Sequence, residues 1–197
     1  MPNWVYNNVT ISGEVAEVSK LITDVARSVP REDETLDETH FSFWNVVKPT
    51  DEELVDYWTT TWYEWRLKNW GCKWDASDVV VDRNADGSVQ YAFETPWSPP
   101  LPIFDKLAED YPTLNFEWSY EEEQGWGGTM SYQDGELSGR TDYDIPESHQ
   151  DFVNRNNEGG CHCCYSDNPD EMFSDCPSAI AQLNDEGTLI SVPALSI

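Results

Sequence analysis

From Trp4 to Ile11 apolar and polar positions alternate: Val5, Asn7, Val9 and Ile11 fall on one side, and Trp4, Tyr6, Asn8 and Thr10 on the other. That period of two predicts a half-buried first strand, ending near Ser12 and Gly13. From Glu14 the period lengthens. Val15, Val18, Ile22, Val25 and Val29 recur every three or four residues, which predicts a helix with one apolar stripe until Pro30 prevents its continuation. Residues 31–39 are a charged loop. The run HFSFWNVVKP after it, rich in aromatic and β-branched residues, is expected as a second strand closed by Pro49.

The stretch from Thr50 to Ala76 holds Trp58, Trp62, Trp65, Trp70 and Trp74, half of the chain's ten tryptophans. Thr50 and Glu53 form a capping box, and Asp51 and Glu52 add negative charge at the positive end of the helix that starts there. Leu54, Tyr57, Trp58, Thr61, Trp62 and Trp65 share one face, Asp56, Glu64 and Lys68 point elsewhere, and Gly71 supplies a stop. The face is expected to anchor the helix on a sheet; a stacking surface for bases or a ligand is the sharper alternative.

Val79–Arg83 and Ser88–Glu94 are two strand-like runs joined by Asn84, Ala85, Asp86 and Gly87, hence a hairpin. TPWSPPLP, with its four prolines, fixes an extended entry into a helix marked by Ile103, Phe104, Leu107, Ala108 and Tyr111. Leu114, Phe116, Trp118 and Tyr120 alternate with Thr113, Asn115, Glu117 and Ser119 as the clearest strand in the chain. Gly125, Gly127 and Gly128 lack the lysine and spacing of a phosphate loop and read as a bulge or connection. Thr129–Gln133 and Glu136–Arg140 then flank Asp134-Gly135, a two-residue hairpin turn. The fold class is therefore α+β: a split β-α-β sandwich over residues 1–145 with a Trp-rich helical insertion at about 50–70. Residues 146–197 form a loop-rich, acidic extension whose tail, TLISVPALSI, is a candidate edge strand.

The segments MPNWVYNNVTISG, YEWRLKNWGCKWDA and ETPWSPPLPIFDKLAEDYP, separated but in order, resemble the YubB-type ferredoxin-like domain, a family encoded mostly by bacteriophages and plasmids. The resemblance covers roughly residues 1–145 and implies a ferredoxin-like fold and a mobile-element origin. It carries no established activity and no catalytic residue. Cys72 stands where that family usually has a threonine after the Trp-Gly pair.

Acidic residues number 38 against 11 basic ones, for a formal charge of −27. Such a surface disfavours direct binding to DNA or RNA, which depends on cations neutralising phosphates, and suits a basic host or phage protein; a solubilising charge, or a halophilic or simply acidic composition, is the plainer reading. No basic segment precedes an apolar run, and no stretch approaches the ~20 apolar residues of a membrane span, so a cytoplasmic protein in a bacterial host is expected. Five cysteines, three of them bunched, do not form a secreted disulfide framework.

Several residues are candidates for chemistry. Cys161, His162, Cys163, Cys164 and Cys176 offer soft ligands for zinc, though C-x-C-C is not the spacing of a usual zinc knuckle; reactive or inert thiols are the other readings. Asp82, Asn84, Asp86 and Gly87 spell the start of a calcium loop, but Phe93 stands where the bidentate glutamate belongs, and a plain hairpin turn accounts for them equally. Glu64 and Asp75 are candidate acid/base residues, and Cys72 beside Lys73 a candidate thiolate without a nearby histidine. No cofactor is expected other than the zinc that the cysteine and histidine cluster could hold. The expected function is non-enzymatic: a phage or plasmid accessory protein binding a partner through its acidic surface, in its sharpest form a DNA mimic. A metal- or carboxylate-dependent hydrolase or nucleotide-modifying enzyme is the alternative.

Overall fold

The computed structural model describes residues 2–26, 29–30, 36–37, 39–156 and Cys176. The chain divides into two units, Met1–Asp144 and Ile145–Ile197.

In the first unit, β1 (Trp4–Ser12) pairs with β5 (Val89–Pro96) on one side and β6 (Asn115–Glu122) on the other. β4 (Ser77–Arg83) flanks β5, while β7 (Gly127–Gln133) and β8 (Glu136–Tyr143) extend the sheet beyond β6. The six-stranded order is β4-β5-β1-β6-β7-β8, antiparallel throughout. Helix α1 (Val15–Val25) lies on the path from β1 to β4, and α4 (Leu101–Asp110) joins β5 to β6. Each path skips one intervening strand, which is the split β-α-β arrangement of a ferredoxin-like sandwich lengthened by one hairpin. Asp134 and Gly135 both take positive φ, 53° and 83°, as the tight β7–β8 turn requires.

One face of the sheet is covered. Val5, Val9 and Ile11, then Val89, Tyr91 and Phe93, then Phe116, Trp118 and Tyr120 bury against Val18, Leu21 and Val25 of α1 and Ile103, Phe104, Leu107 and Ala108 of α4. Phe104 sits 4.3 Å from the Trp118 ring and also meets Phe41, Phe93 and Phe116.

Three expectations need correction. The first helix stops at Val25, Val15 is exposed, and Val29 belongs to a two-residue ladder, β2 (Val29–Pro30) with β3 (Leu36–Asp37). The run 40–49 is not a strand: Phe43–Asn45 is a short 3₁₀ turn. Its Ser42 hydroxyl accepts from the Trp44 N–H at 3.2 Å, and Asn45 Nδ2 donates to the last carbonyl of α1 at 2.9 Å. These local bonds satisfy the backbone where a strand would need a ladder. The Trp-rich helix is also not continuous. It comprises α2 (Asp51–Asp56), a π-helical turn (Tyr57–Thr61) and α3 (Trp62–Asn69). The predicted capping box at Thr50 and Glu53 is present. Thr59 and Thr60 hydroxyls both donate to the Asp56 carbonyl, displacing the regular ladder, and the Trp62 N–H reaches Tyr57 O. The extra residue rotates the aromatic face, so of the predicted stripe only Tyr57 is fully buried. Trp58 stacks on Trp44 at 5.7 Å, and Arg66 donates to the Tyr57 hydroxyl at 2.7 Å while lying 4.7 Å from the Trp70 ring.

In the second unit, α5 (His149–Asn156) is a helix within the extension expected to be loop-rich. Ser148 Oγ accepts from the Asp151 N–H at 3.0 Å, the hydroxyl cap that a Ser-x-x-Asp sequence offers. The tail TLISVPALSI lies outside the described residues.

Candidate functional site: the open sheet face and its aromatic rim

The alternation that buries one side of each strand turns the other outward. Opposite-strand register aligns Glu94, Tyr6, Glu121 and Tyr143 in one row across the sheet, through Gly127. The next row holds Val80, Ala92, Asn8, Ser119, Thr129 and Thr141, and the third Asp82, Gln90, Thr10, Glu117, Ser131 and Gly139. No lysine or arginine stands in these three rows. Antiparallel strands lie about 4.8 Å apart, so Glu94 and Glu121, one on either side of β1, are within about a Debye length of each other. Glu94 is held above the usual carboxylate range by partial burial and by the charges of Asp78 and Glu123. The Tyr6 hydroxyl is raised too, by desolvation and by Glu123 and Glu94. Tyr143 donates to Glu121 at 2.9 Å and Ser131 to Glu117 at 2.8 Å, which fixes two of the carboxylates in place.

At the β1 entrance this face runs into aromatic rings. Trp4 precedes Tyr6 by two residues, so both side chains project to the same side of the sheet. The Trp4 ring lies 6.0 Å from Trp74, and Trp74 lies 5.9 Å from Trp97. Trp97 is 47% exposed and has φ of 62°, a left-handed conformation that an L-residue occupies at a cost of about 1–2 kcal/mol. A chain of polar groups, buried at Asn7 and Thr95 and half-buried at Ser98, holds that turn. Asn7 Nδ2 donates to Thr95 Oγ1 at 3.0 Å, Thr95 Oγ1 to Ser98 O at 2.9 Å, and Ser98 Oγ to Gly71 O at 2.6 Å. Gly71 must be glycine: its φ is 82°, and a Cβ would come 2.8 Å from Pro102 Cδ. Three sequence-distant motifs, around Trp4, Gly71–Trp74 and Trp97, thus meet at one edge of the sheet.

Comparison with known proteins agrees with this architecture. Residues 69–161 match the family model for the ferredoxin-like domain in Api92-like protein. A solved structure, protein api92 from Yersinia pseudotuberculosis, superposes with a TM-score of 0.58 at 9% identity, covering 73% of this chain and 99% of that one. At that identity the likeness concerns the fold. No curated protein matches the chain by sequence.

Within the segment that matches the Api92-like domain, Asp75 and Cys72, two of the residues singled out for chemistry, have structural partners. Asp75 Oδ1 accepts from the Phe43 and Ala76 N–H groups at 2.7 and 2.8 Å, and Oδ2 accepts from Ser42 Oγ at 2.5 Å. Desolvation nonetheless pushes its pKa up, against the pull of those three bonds and of Arg66. Cys72 is buried, its thiol raised by desolvation and by Asp75, and Sγ donates to Trp74 O at 3.2 Å. The thiol thus makes a turn contact open to a threonine hydroxyl at the same place. Glu64 is exposed on α3, beside a hollow lined also by Glu52, Glu53, Asp56 and Lys68.

The calcium-like residues sit in and beside the β4–β5 turn. Asp86 Oδ1 accepts from Ser88 N at 2.9 Å and Ser88 Oγ at 2.7 Å, Asn84 Nδ2 donates to Ser88 Oγ, and Asp82 projects from β4 onto the open face. These bonds are those of a side-chain-stabilised turn. Cys161, His162, Cys163 and Cys164 lie outside the described residues, and Cys176 is buried. Among the described residues no three His, Cys, Asp or Glu side chains gather as a metal site would need, and no helix is long and apolar enough to cross a membrane.

Sequence reasoning missed the aromatic rim. Trp97 stands between Pro96 and Ser98 in a loop where no period accounts for burying an indole, and that was the available signal.

Proposed function

We propose that this is a non-enzymatic accessory protein of a phage or plasmid, of the YubB type, acting in the bacterial cytoplasm by binding a basic host or phage protein on the open face of its sheet. The observation that carries the reading is the face itself: three rows of outward side chains with Asp82, Glu94, Glu117 and Glu121 and no cation. A rigid field of one sign accelerates encounter with an oppositely charged surface and penalises like-charged competitors. In its sharpest form the protein is a DNA mimic, covering the nucleic-acid-binding surface of a defence or transcription protein. The hydrolase alternative draws no support from Asp75 or Cys72, whose polar atoms are engaged in holding turns.

Purified basic nucleic-acid-binding proteins of the host, applied to the immobilised chain, provide the test. Capture should weaken with salt, be competed by double-stranded DNA, and be lost in the triple variant Glu94→Lys, Glu117→Lys, Glu121→Lys. Retained capture by a folded triple variant would refute the assignment of the sheet face.

A further inference from the structure

Lys73 stands on the bend between α3 and β4, with aromatic rings on several sides. Its Nζ lies 4.9 Å from the centre of the Trp74 ring, 5.4 Å from Trp97, 5.8 Å from Tyr63 and 6.0 Å from Trp62. Lys20, Lys106 and Arg140 each have a carboxylate partner, whereas Lys48, Arg66, Lys68 and Arg83, like Lys73, have none among the described residues. Among the described residues none pairs with Lys73, although the chain has 38 acidic side chains. Its ammonium is held by ring faces alone.

Four rings around one ammonium make a site whose chemistry selects cations, because the negative faces of the rings attract positive charge and offer nothing to an anion. The walls come from two directions, Trp62 and Tyr63 from α3 and Trp74 and Trp97 from the two loops, so the cage is set by the fold rather than by Lys73. It opens to solvent: Trp97 is 47% and Tyr63 44% exposed. Trp97 is kept there in a left-handed backbone by the part-buried Asn7–Thr95–Ser98 chain. Lys73 itself has a flexible four-carbon stem and a strongly hydrated head, which makes it a weak occupant that can swing out. An anion drawn to Lys73 would have to enter against a formal charge of −27; a cation enters with it.

We propose that this is a cation-binding cage plugged by its own Lys73, and that the guest which displaces the plug is the ammonium of a lysine side chain, unmodified or methylated, on the basic partner. The source of the guest rests on the proposed function, since Trp4 links the cage to the acidic face on which that partner would lie. The cage itself does not.

Tetramethylammonium chloride titrated into the full-length chain tests the cage, with sodium chloride at equal ionic strength as control. In the free protein the Lys73 Hε protons should be shifted upfield by the surrounding rings and return toward ordinary values as the guest enters, with saturable quenching of tryptophan fluorescence. Lys73→Ala removes the plug and should tighten guest binding by about tenfold, as expected if the open cage is populated about one time in ten. Trp97→Ala should abolish binding. Unshifted Lys73 protons, or equal affinity in the wild type and a folded Lys73→Ala, would overturn the cage; the first readout stands even if that variant does not fold. A basic peptide bearing trimethyllysine should bind more tightly than tetramethylammonium, and its failure to bind would overturn the lysine assignment. The Glu94, Glu117, Glu121 triple variant should still bind tetramethylammonium, so loss of partner capture and loss of the cage are separable results.

Discussion

Replacing Asp75 separates a structural carboxylate from a chemical one. Asp75→Ala leaves the Phe43 and Ala76 N–H groups without an acceptor and frees the Ser42 hydroxyl, which also caps the Trp44 N–H. Each buried polar group left unsatisfied costs about 1–3 kcal/mol, and the loss is partly offset because a desolvated charge is removed with it. We expect destabilisation of about 2–4 kcal/mol, or a Tm lower by roughly 4–16 °C for a chain of this size. Asp75→Asn differs in kind. Its carbonyl can keep both backbone bonds and its NH₂ can donate to Ser42, so stability at neutral pH should stay within about 1 kcal/mol of wild type. The pH dependence gives the sign. The folded pKa of Asp75 lies above its ordinary value of 3.8, so its contribution to stability is fully present below that value and is lost as pH rises through the folded pKa. Between pH 4 and 7 the wild type should therefore lose stability relative to Asp75→Asn. Urea unfolding of the three proteins at both pH values measures this. An alanine variant as stable as the asparagine one, or a wild type that gains on Asp75→Asn as pH rises, would refute the account of the turn.

The remaining expectations concern the core and the loop contact. Tyr91 is buried with a hydroxyl that has no hydrogen-bond partner among the described residues, and burial pushes its pKa up to about 12. Tyr91→Phe should raise stability by about 1 kcal/mol in thermal or urea unfolding, and a loss of that size would show that the hydroxyl is bonded after all. Gly71→Ala combines a left-handed backbone with a collision against Pro102, for a loss of about 2–4 kcal/mol by the same measurement. An unchanged midpoint would mean that the Pro99–Pro102 loop yields freely.

Much of the sheet was legible because single faces are buried. The alternations at Val5–Ile11 and Leu114–Tyr120 correspond to β1 and β6, and Asp134-Gly135 marks a turn that needs two positive φ values. The polar half of the same alternation foretold the open face, though not that cross-strand register would gather its carboxylates. Residues 41–47 misled because their composition favours a strand while Ser42, Asn45 and the distant Asp75 satisfy the backbone by other means. Three consecutive threonines, Thr59–Thr61, were the sign that a single helical period would not run through the tryptophans. The cage around Lys73 draws on residues 62, 63, 73, 74 and 97, and no local pattern brings such positions together.

The central place of β1 bears on how the chain is made. Val9 pairs with Tyr91 on one side and with Trp118 on the other. During synthesis β1 leaves the ribosome long before either neighbour exists, and its apolar edge must wait through some eighty residues, several of them large aromatics, for the first ladder to form. Long-range pairing of this kind is slow to nucleate. Nascent chains are therefore exposed to misassociation and to capture by chaperones until β6 has emerged, and yield in the cell should respond more sharply to growth temperature than the stability of the finished protein does.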